Sequence, residues 1–438
     1  MTIGLSGRRL RVSGPVVDRA AGAVVSLWNS LNRAGLTALA CIVVPVAHAA
    51  SAPPAWEATF NTEARYYSWT SNRGFPGTTT ASAAGGSGSQ LMVPFAFGLN
   101  GKPNDDWRTE FLIRSAYYWS KQTSAGMSGQ SDGLTDTSLT GTFTYYGIAG
   151  IQPFTSLTLN LPTGRSNQQG TAAFSKLDQD VVSTPTFGEG FNAGPTVGAN
   201  IPIGASMIVS ASFGYTYRGP FNREGDVNQI GLLPTGTTRL DPGDVFTANI
   251  GFGASLGQNW QVQGSASYSW ETTTTLNGDD FYRAGGRYAL QAIVTYLWDP
   301  MWTSKLSASF QGFARNDVRS PPITGIVPEL FNSNSNVTKI SFDTTYKTAM
   351  FAIGPSVSFV YRDHNAWSPT DFRFLPAKNT WSGGVSAQYT PMQMVSLNAN
   401  VQRIWLREDA NPGILAPNGM PMVRTDAWAI TFGATIKN

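Results

Sequence analysis

The stretch Trp260–Glu271 reads WQVQGSASYSWE, and this pattern decides the fold class. Its even positions are apolar or small, and its odd positions hold Gln, Ser and Glu. Alternation with a period of two predicts a β-strand that has one apolar and one polar face. Trp260 and Trp270 mark the two ends of the apolar face, as is typical of aromatic side chains at the two lipid–water interfaces. The stretch therefore predicts one wall strand of a membrane β-barrel.

The composition agrees with this prediction and excludes other classes of protein. Only 13% of the 438 residues are charged, whereas a soluble domain carries about 25%. An aromatic content of 12% argues against disorder. Beyond residue 50 the sequence has no run of about 18 apolar residues, the length that a membrane-spanning helix needs. Among membrane proteins, a β-barrel remains.

The same alternation recurs from Trp56 to Ile436, which predicts an all-β fold: a transmembrane antiparallel up-and-down β-barrel of about 16 strands. A count of 14 or 18 is the alternative. The segment from Lys339 to Thr348 alternates out of phase with Phe351–Tyr361, which suggests a bulge near Ala349 within one long strand. The predicted strands are 56–69, 90–99, 107–120, 136–147, 154–162, 191–203, 206–218, 244–256, 260–271, 287–297, 302–315, 346–361, 366–375, 380–390, 395–405 and 425–437.

The lengths of the connections predict the orientation of the barrel. Short turns such as Gly257–Asn259 and Pro391–Met394 alternate with long polar connectors such as 163–189 and 219–243. Outer-membrane barrels have short periplasmic turns and longer outer loops. The long connectors should therefore face outward, and both ends of the barrel should be periplasmic.

Residues 1–49 resemble an export signal, and residues 50–438 are predicted to form the barrel. Five arginines precede the apolar stretch Ala34–Ala47, and Ala47-His48-Ala49 offers the small residues that a signal peptidase requires. A transmembrane anchor is the alternative. Of the 30 basic and 27 acidic residues of the chain, 25 and 26 remain after cleavage, so the charge predicts no nucleic-acid partner. Cys41 leaves with the signal, which excludes disulfides from the barrel.

Charged residues of the predicted strands should point into the lumen. Arg or Lys on the lipid face costs about 2–4 kcal/mol at the bilayer midplane. These charges form either a solvated, partly ion-paired lumen or a basic constriction that favours anions. Arg403 shares a face with apolar residues, and we expect it to snorkel toward the headgroups. The predicted lumen-lining residues are Arg65, Arg108, Glu110, Arg114, Arg218, Glu271, Arg287 and Arg315.

Two further features bear on function. The connector Pro162–Gly190 exceeds the usual length of a structureless loop, so it either folds into the pore or stands outside as a surface loop. It contains Asp178 and Asp180, but the spacing of other oxygen ligands matches no calcium loop, and no metal or cofactor is predicted. His364, the single histidine after residue 49, is predicted beside a periplasmic turn, away from the outer leaflet. No enzyme is therefore predicted.

Three motifs carry a family resemblance: TLNLPTG at Thr158–Gly164, GYTYRG at Gly214–Gly219 and IGPSVSFVY at Ile353–Tyr361. With these motifs the chain resembles the proteobacterial outer-membrane family called the meta-pathway phenol-degradation transporters. The resemblance implies a barrel that passes aromatic or other small hydrophobic compounds, and it assigns no binding residue. Channels of the fatty-acid type carry an N-terminal plug, whereas few residues separate the predicted cleavage site from the first strand. This departure favours a plain pore.

Together these features predict a channel of the Gram-negative outer membrane that passes small solutes passively, with aromatic or hydrophobic compounds among the candidates. The alternative is a barrel that serves as a scaffold for surface adhesion or for an outer-membrane enzyme. The expected partners are small-molecule solutes, outer-membrane lipid and lipopolysaccharide, and the barrel-assembly machinery.

Overall fold

A computed structural model describes residues 56–73, 81–124, 127–168, 172, 175, 188–224, 237–319, 325–371, 373–411 and 422–438. The predicted signal peptide, residues 1–49, lies outside these ranges. No helix within them is long and apolar enough to cross a membrane.

The strands of the described chain are numbered in chain order. They are β1 (Trp56–Arg73), β2 (Ala81–Asn104), β3 (Trp107–Ser124), β4 (Met127–Leu134), β5 (Thr137–Tyr145), β6 (Gln152–Leu161), β7 (Asn192–Ile203), β8 (Met207–Arg218), β9 (Phe221–Glu224), β10 (Thr237–Asp241), β11 (Val245–Leu256), β12 (Trp260–Glu271), β13 (Thr274–Leu276), β14 (Asp279–Arg283), β15 (Arg287–Leu297), β16 (Trp302–Phe313), β17 (Asp317–Arg319), β18 (Ile326–Pro328), β19 (Val337–Lys347), β20 (Phe351–Arg362), β21 (Lys378–Met392), β22 (Val395–Glu408) and β23 (Val423–Lys437).

The wall is a closed antiparallel ring of 16 strand positions. The first strand, β1, pairs with the last strand, β23, over a long register that includes Tyr66 opposite Ile430. Strands β4 and β5 share one position in the ring, because both pair with β3, through Tyr117–Leu134 and Arg114–Ser138 respectively. The predicted fold class is therefore confirmed.

Two predicted strand boundaries between residues 337 and 375 are wrong. Strands β19 and β20 are separate and antiparallel, with Tyr346 opposite Ile353, instead of one strand with a bulge near Ala349. Thr348 closes the turn between them, since its hydroxyl accepts the Phe351 amide at 3.0 Å. The change of phase in the sequence marked a reversal of the chain. The predicted strand 366–375 belongs instead to a connector, in which Pro369 offers no amide hydrogen to a ladder. The two errors cancel in the strand count.

Short turns and long connectors lie at opposite ends of the ring, as predicted. The start of β1 and the end of β23 lie at the short-turn end, where the Asn438 amide donates to the Ala58 carbonyl at 3.2 Å. In bacterial barrels this end is periplasmic. We therefore call the opposite end, with the long connectors, the outer end.

The outward face of the wall is apolar and remains exposed. Ile250 is 63% exposed and Leu290 is 52% exposed, in strands that are fully paired on both sides. Cross-strand aromatic pairs near the short-turn end, Trp260–Tyr296 and Trp302–Tyr346, have ring centroids 4.5 and 4.9 Å apart. Aromatics also cluster near the outer end, where Phe246 stacks on Trp270. These are the two belts expected at lipid headgroups, and the barrel is an outer-membrane protein.

A second sheet of six short strands continues above the wall at the outer end. Its order is β18-β17-β14-β13-β10-β9, all from connectors for which the sequence predicts no strand. Asn277 and Gly278 form the tight turn between β13 and β14, with φ of 54° and 93°. Both residue types tolerate positive φ, which two-residue hairpins of this kind require.

The exposed apolar face predicts that an arginine destabilises the barrel much more on the outward face of a strand than on the inward face. Ile250→Arg places a charge on the lipid face near the middle of β11 and should destabilise the barrel by about 2–4 kcal/mol. Gln263→Arg, on the exposed inner face of β12, should change the stability by less than about 0.5 kcal/mol. Urea unfolding in phospholipid vesicles measures both. Equal losses in the two variants would contradict the assignment of faces.

Candidate functional site

The lumen is the candidate site, and the strand registers define which side chains enter it. Phe60, Phe97 and Ile436 lie opposite one another on the outward face. Side chains of the other parity point into the ring. By this rule seven of the eight predicted residues point inward from the wall strands: Arg65, Arg108, Glu110, Arg114, Arg218, Glu271 and Arg287. The eighth, Arg315, lies beyond the end of β16, and its Nη1 donates to the Leu330 carbonyl at 3.5 Å.

Most of these charges are paired with one another. Arg108 Nη2 lies 2.7 Å from Glu110 Oε1. Glu271 lies between two guanidinium groups, at 2.7 Å from Arg218 Nη2 and also in contact with Arg287. Arg65 pairs with Glu63, an acidic residue that the sequence also places on the polar face. The charges therefore form local pairs spread around the ring.

Arg315 and Arg114 have no carboxylate within ion-pair distance in the described part of the chain, and of these two arginines only Arg114 belongs to a wall strand. It lines a cavity of about 780 Å³ inside the barrel. Arg65, Met92, Ala116 and Asp136 line the same cavity, so it offers both charged and apolar surface.

The described residues of the connector 162–190 pack against the inner face of β3. Gln168 Nε2 donates to the Tyr118 hydroxyl at 3.1 Å, and the Ser120 hydroxyl donates to the Ser175 carbonyl at 2.7 Å. Tyr118 and Ser120 are only 2% and 1% exposed, although they point into the lumen. Of the two alternatives drawn from the sequence, the inward fold therefore holds for these residues. The segment that contains Asp178 and Asp180 lies outside the described residues.

Asp136 attaches both ends of this connector to the wall. Its carboxylate accepts hydrogen bonds from the Gly164 amide at 3.0 Å and from the Gly188 amide at 2.7 Å. Asn160 Nδ2 and the Glu189 amide donate to it as well, at 3.0 and 3.2 Å. Hydrogen bonds to a charged group are stronger than neutral ones. One carboxylate thus fixes the points where the connector enters and leaves the lumen.

The position of Asp136 follows from an interruption of the wall. It lies with Thr135 between β4 and β5, where the ladder with β3 changes partner. The Thr135 amide donates to the Ala116 carbonyl at 2.8 Å, and the Thr135 hydroxyl accepts the Ala116 amide at 3.0 Å. These two bonds keep the wall paired while the next side chain turns to the connector. The sequence does not predict this site, because an Asp at the start of a strand resembles an ordinary turn residue.

Glycine is required at Gly188 for this attachment. Its φ is +75°, and a Cβ at this position would lie 2.2 Å from the Ser166 amide nitrogen. The close approach of the two ends of the connector therefore excludes any side chain.

Several buried glutamine side chains have polar atoms without a hydrogen-bond partner in the described structure. Gln90 is fully buried on the inner face of β2, yet neither of its amide atoms has a hydrogen-bond partner within the described structure. The buried Oε1 atoms of Gln122 and Gln168 lack partners in the same way. A buried polar group without a partner costs about 1–3 kcal/mol. The carboxylate of Asp136, by contrast, accepts from four donors.

His364 lies at the outer end, not beside a periplasmic turn, so this prediction is wrong. The reason is the reversal at Thr348, which the change of phase in the sequence suggested to be a bulge. His364 belongs to the connector between β20 and β21, where its Nδ1 lies 2.8 Å from the Asn365 carbonyl. Its ring lies near Phe374, with the centroids 6.1 Å apart. These described contacts supply no nucleophile for the imidazole to activate.

The same connector is folded compactly at the outer mouth. Asn365 is buried, accepts the Leu375 amide at 3.1 Å and donates to the Arg373 carbonyl at 2.7 Å. The guanidinium of Arg373 lies 3.3 Å from the ring centroid of the buried Trp367. Asp371 binds this guanidinium at 2.8 Å, and the hydrogen bonds lower the pKa of its carboxyl from 3.8 to about 2.

No group of three potential metal ligands from His, Cys, Asp and Glu occurs within the described ranges.

No protein-family model and no curated protein matches the sequence. Several solved structures share the general fold at low similarity. An outer membrane channel from Pseudomonas putida F1 aligns with a TM-score of 0.38 and 11% identity over 60% of this chain and 90% of its own. A Pseudomonas aeruginosa FadL homologue aligns with 0.43 and 11% over 87% and 90%. The P. putida toluene transporter TodX aligns with 0.38 and 10% over 88% and 90%. Similarity this low shows no more than the general fold.

The attachment at Asp136 predicts that its removal widens the lumen. Asp136→Ala loses four hydrogen bonds to a charged group, each of which contributes about 1.5–3 kcal/mol. The connector should then leave the wall, and the single-channel conductance in planar bilayers should increase. Asp343→Ala is the matched control, since it removes an inward carboxylate that pairs only with Lys305 among the described residues. An unchanged conductance in Asp136→Ala would contradict the role of this carboxylate.

The contact between Asp371 and Arg373 predicts that the Asp371 carboxyl titrates below its ordinary pKa. Because the pKa of Asp371 is lowered in the folded protein, the contact is complete above about pH 4 and is lost as the pH falls through about 2. Arg373→Gln should raise the carboxyl pKa toward its ordinary 3.8, as measured by NMR of ¹³C-labelled aspartate. Arg283→Gln, in the outer sheet, should leave it unchanged. A midpoint near 3.8 in the unaltered protein would disprove the contact.

Proposed function

We propose that the protein is a passive outer-membrane channel for small solutes, narrowed by the connector 162–190. The main support for this proposal is that side chains on both faces of the wall are exposed. On β12 and β15 the inward side chains of Gln263 and Gln291 are exposed, while Leu290 is exposed on the outward face. An apolar outer face contacts lipid, and an accessible polar inner face contacts water.

The open part of the lumen lies on one side of the ring. The inner faces of β2 and β3 are covered where the connector packs on them, and Trp69 and Ile404 are buried on the inner faces of β1 and β22. Across the ring a second cavity of about 380 Å³ lies along β8, β12 and β15, lined by groups such as Ser210 and Gln263. We propose that solutes pass along this side. Size, more than chemistry, would then decide what passes.

The pairing of charges favours a channel with weak ion selectivity. The inward arginines that carry local ion pairs contribute little net field, because each pair is nearly neutral at the distance of a passing ion. Among the described wall residues, three inward cations have no carboxylate within ion-pair distance: Arg114, Lys339 and Lys347. We propose a mild anion preference that depends on these cations.

A second candidate substrate class is aromatic or other small hydrophobic compounds. Met92, Pro94 and Ala116 give the cavity beneath the connector an apolar side next to Arg65. A solute with an apolar body and a polar group could contact both. The resemblance of the three sequence motifs to the phenol-degradation transporters favours the same class.

Planar bilayers and vesicle swelling test the proposal. Purified protein should give stable conductance steps, and vesicles should swell in small sugars but not in larger oligosaccharides. Faster swelling in an aromatic alcohol than in a sugar of equal mass would favour the hydrophobic class. Folded protein that neither conducts ions nor passes any solute would overturn the proposal and favour the scaffold alternatives, adhesion or surface catalysis.

Reversal of charge at Arg114 tests the ion preference. In a salt gradient the reversal potential of the unaltered channel should indicate anion selectivity, and Arg114→Glu should weaken that selectivity. Arg239→Glu, in the outer sheet, makes the same change of charge outside the wall and should not. A cationic sign in the unaltered protein would remove the proposed preference.

A further inference from the structure

Three arginines form a basic patch on the outward face at the outer end of β22 and β23. We call Arg403, Arg407 and Arg424 the outer basic patch. Arg403 and Arg407 share the outward parity of Val401 and Trp405, and Arg424 shares that of Trp428. These charges therefore face the membrane and not the lumen.

The patch lies at the level of the lipid headgroups. Trp381, Trp405 and Trp428 are exposed on the outward face of neighbouring strands and form the outer aromatic belt at this point of the ring. Arg403 lies opposite Trp428, and further out Arg407 lies directly opposite Arg424, beyond Trp405. Tryptophans of such belts sit at the interface, so the next outward pair reaches the zone of lipid phosphates.

Arg403 is anchored within this belt, as the expected snorkelling requires. Its Nη2 lies 3.0 Å from Asp426 Oδ1, and its guanidinium carbon lies 4.9 Å from the ring centroid of Trp428. Its Nε is buried and has no partner within the described structure. Asp426 is thus already paired with Arg403, and Asp409, two residues beyond Arg407, lies outside ion-pair distance of the three arginines.

Arg407 and Arg424 are exposed, and no acidic partner lies within ion-pair distance of either in the described chain. Like charges directly opposite each other across a ladder are destabilising. An anion held between the two guanidinium groups would remove this repulsion, and phosphate matches their paired donors. Because the face is turned to the bilayer, the anion should belong to a lipid.

We propose that the outer basic patch binds a phosphorylated glycolipid of the outer leaflet through its phosphate. The two exposed arginines hold the phosphate, and Trp405 and Trp428 contact the sugar and the upper acyl chains. The occupant is a lipid phosphate and not a soluble anion, since the site opens on the lipid side of the wall. The proposal is independent of what the lumen conducts.

The test compares lipid retention by the full barrel. The protein is reconstituted in phosphatidylcholine vesicles that contain bisphosphorylated diglucosamine lipid or its dephosphorylated form, then extracted, and bound lipid is measured by mass spectrometry. We expect retention of the phosphorylated form alone, and a loss on the order of tenfold in the double variant R407Q/R424Q. R407K/R424K keeps the charge and should restore part of the binding.

Lys121→Gln is the control, because Lys121 is an exposed outward cation near the outer end of β3 with the uncharged Ser89 and Gln130 opposite. It should retain lipid like the unaltered protein. Unchanged conductance in R407Q/R424Q establishes that the double variant is folded, and separates this test from that of the channel. Equal retention by the double variant, equal retention of the dephosphorylated lipid, or displacement by equimolar inorganic phosphate would each overturn the proposal.

Discussion

The structure depends on one constraint, which is that a backbone within lipid must satisfy its own hydrogen bonds. Water is absent from the hydrocarbon region, so an open sheet edge would leave a row of unpaired polar groups there. The pairing of β1 with β23, from Thr59 opposite Lys437 to Ser71 opposite Thr425, removes that edge. Closure also gives the wall two faces in different surroundings. The outward apolar side chains, the inward charges and the two aromatic belts all follow from it.

At Thr135 and Asp136 the wall is interrupted to bind the connector, although it has to stay closed. A break in a membrane strand is costly unless its backbone groups find other partners. Here Thr135 supplies them, with its amide and its hydroxyl both bonded to Ala116. Asp136 is thereby free to turn inward and bind the ends of a distant connector. A local irregularity of the ladder thus shapes the lumen without opening the wall.

The wall strands could be predicted from the sequence because the alternation of apolar and polar residues has the same physical origin as the fold. Lipid on one side and water on the other impose alternation, and strands such as β12 and β15 match their predicted bounds of 260–271 and 287–297. Alternation does not show in which direction the chain runs, however, so it could not distinguish a bulge from a reversal of the chain at Thr348. Ion pairs such as that between Arg218 and Glu271 join positions far apart in the chain, and alternation places them on a face without pairing them. Asp136 was missed for a related reason, since its four donors come from segments that only the fold brings together.

The second sheet above the wall bears on whether neighbouring copies of the barrel can pair their strands. Within the described residues, its outermost strands β9 and β18 each pair on one side only, and edges of this kind can recruit strands from another molecule. Both are very short, with four and three residues, and β18 ends in Pro328, which has no amide hydrogen to offer. These two edges therefore offer few backbone groups with which a strand of a neighbouring copy could pair.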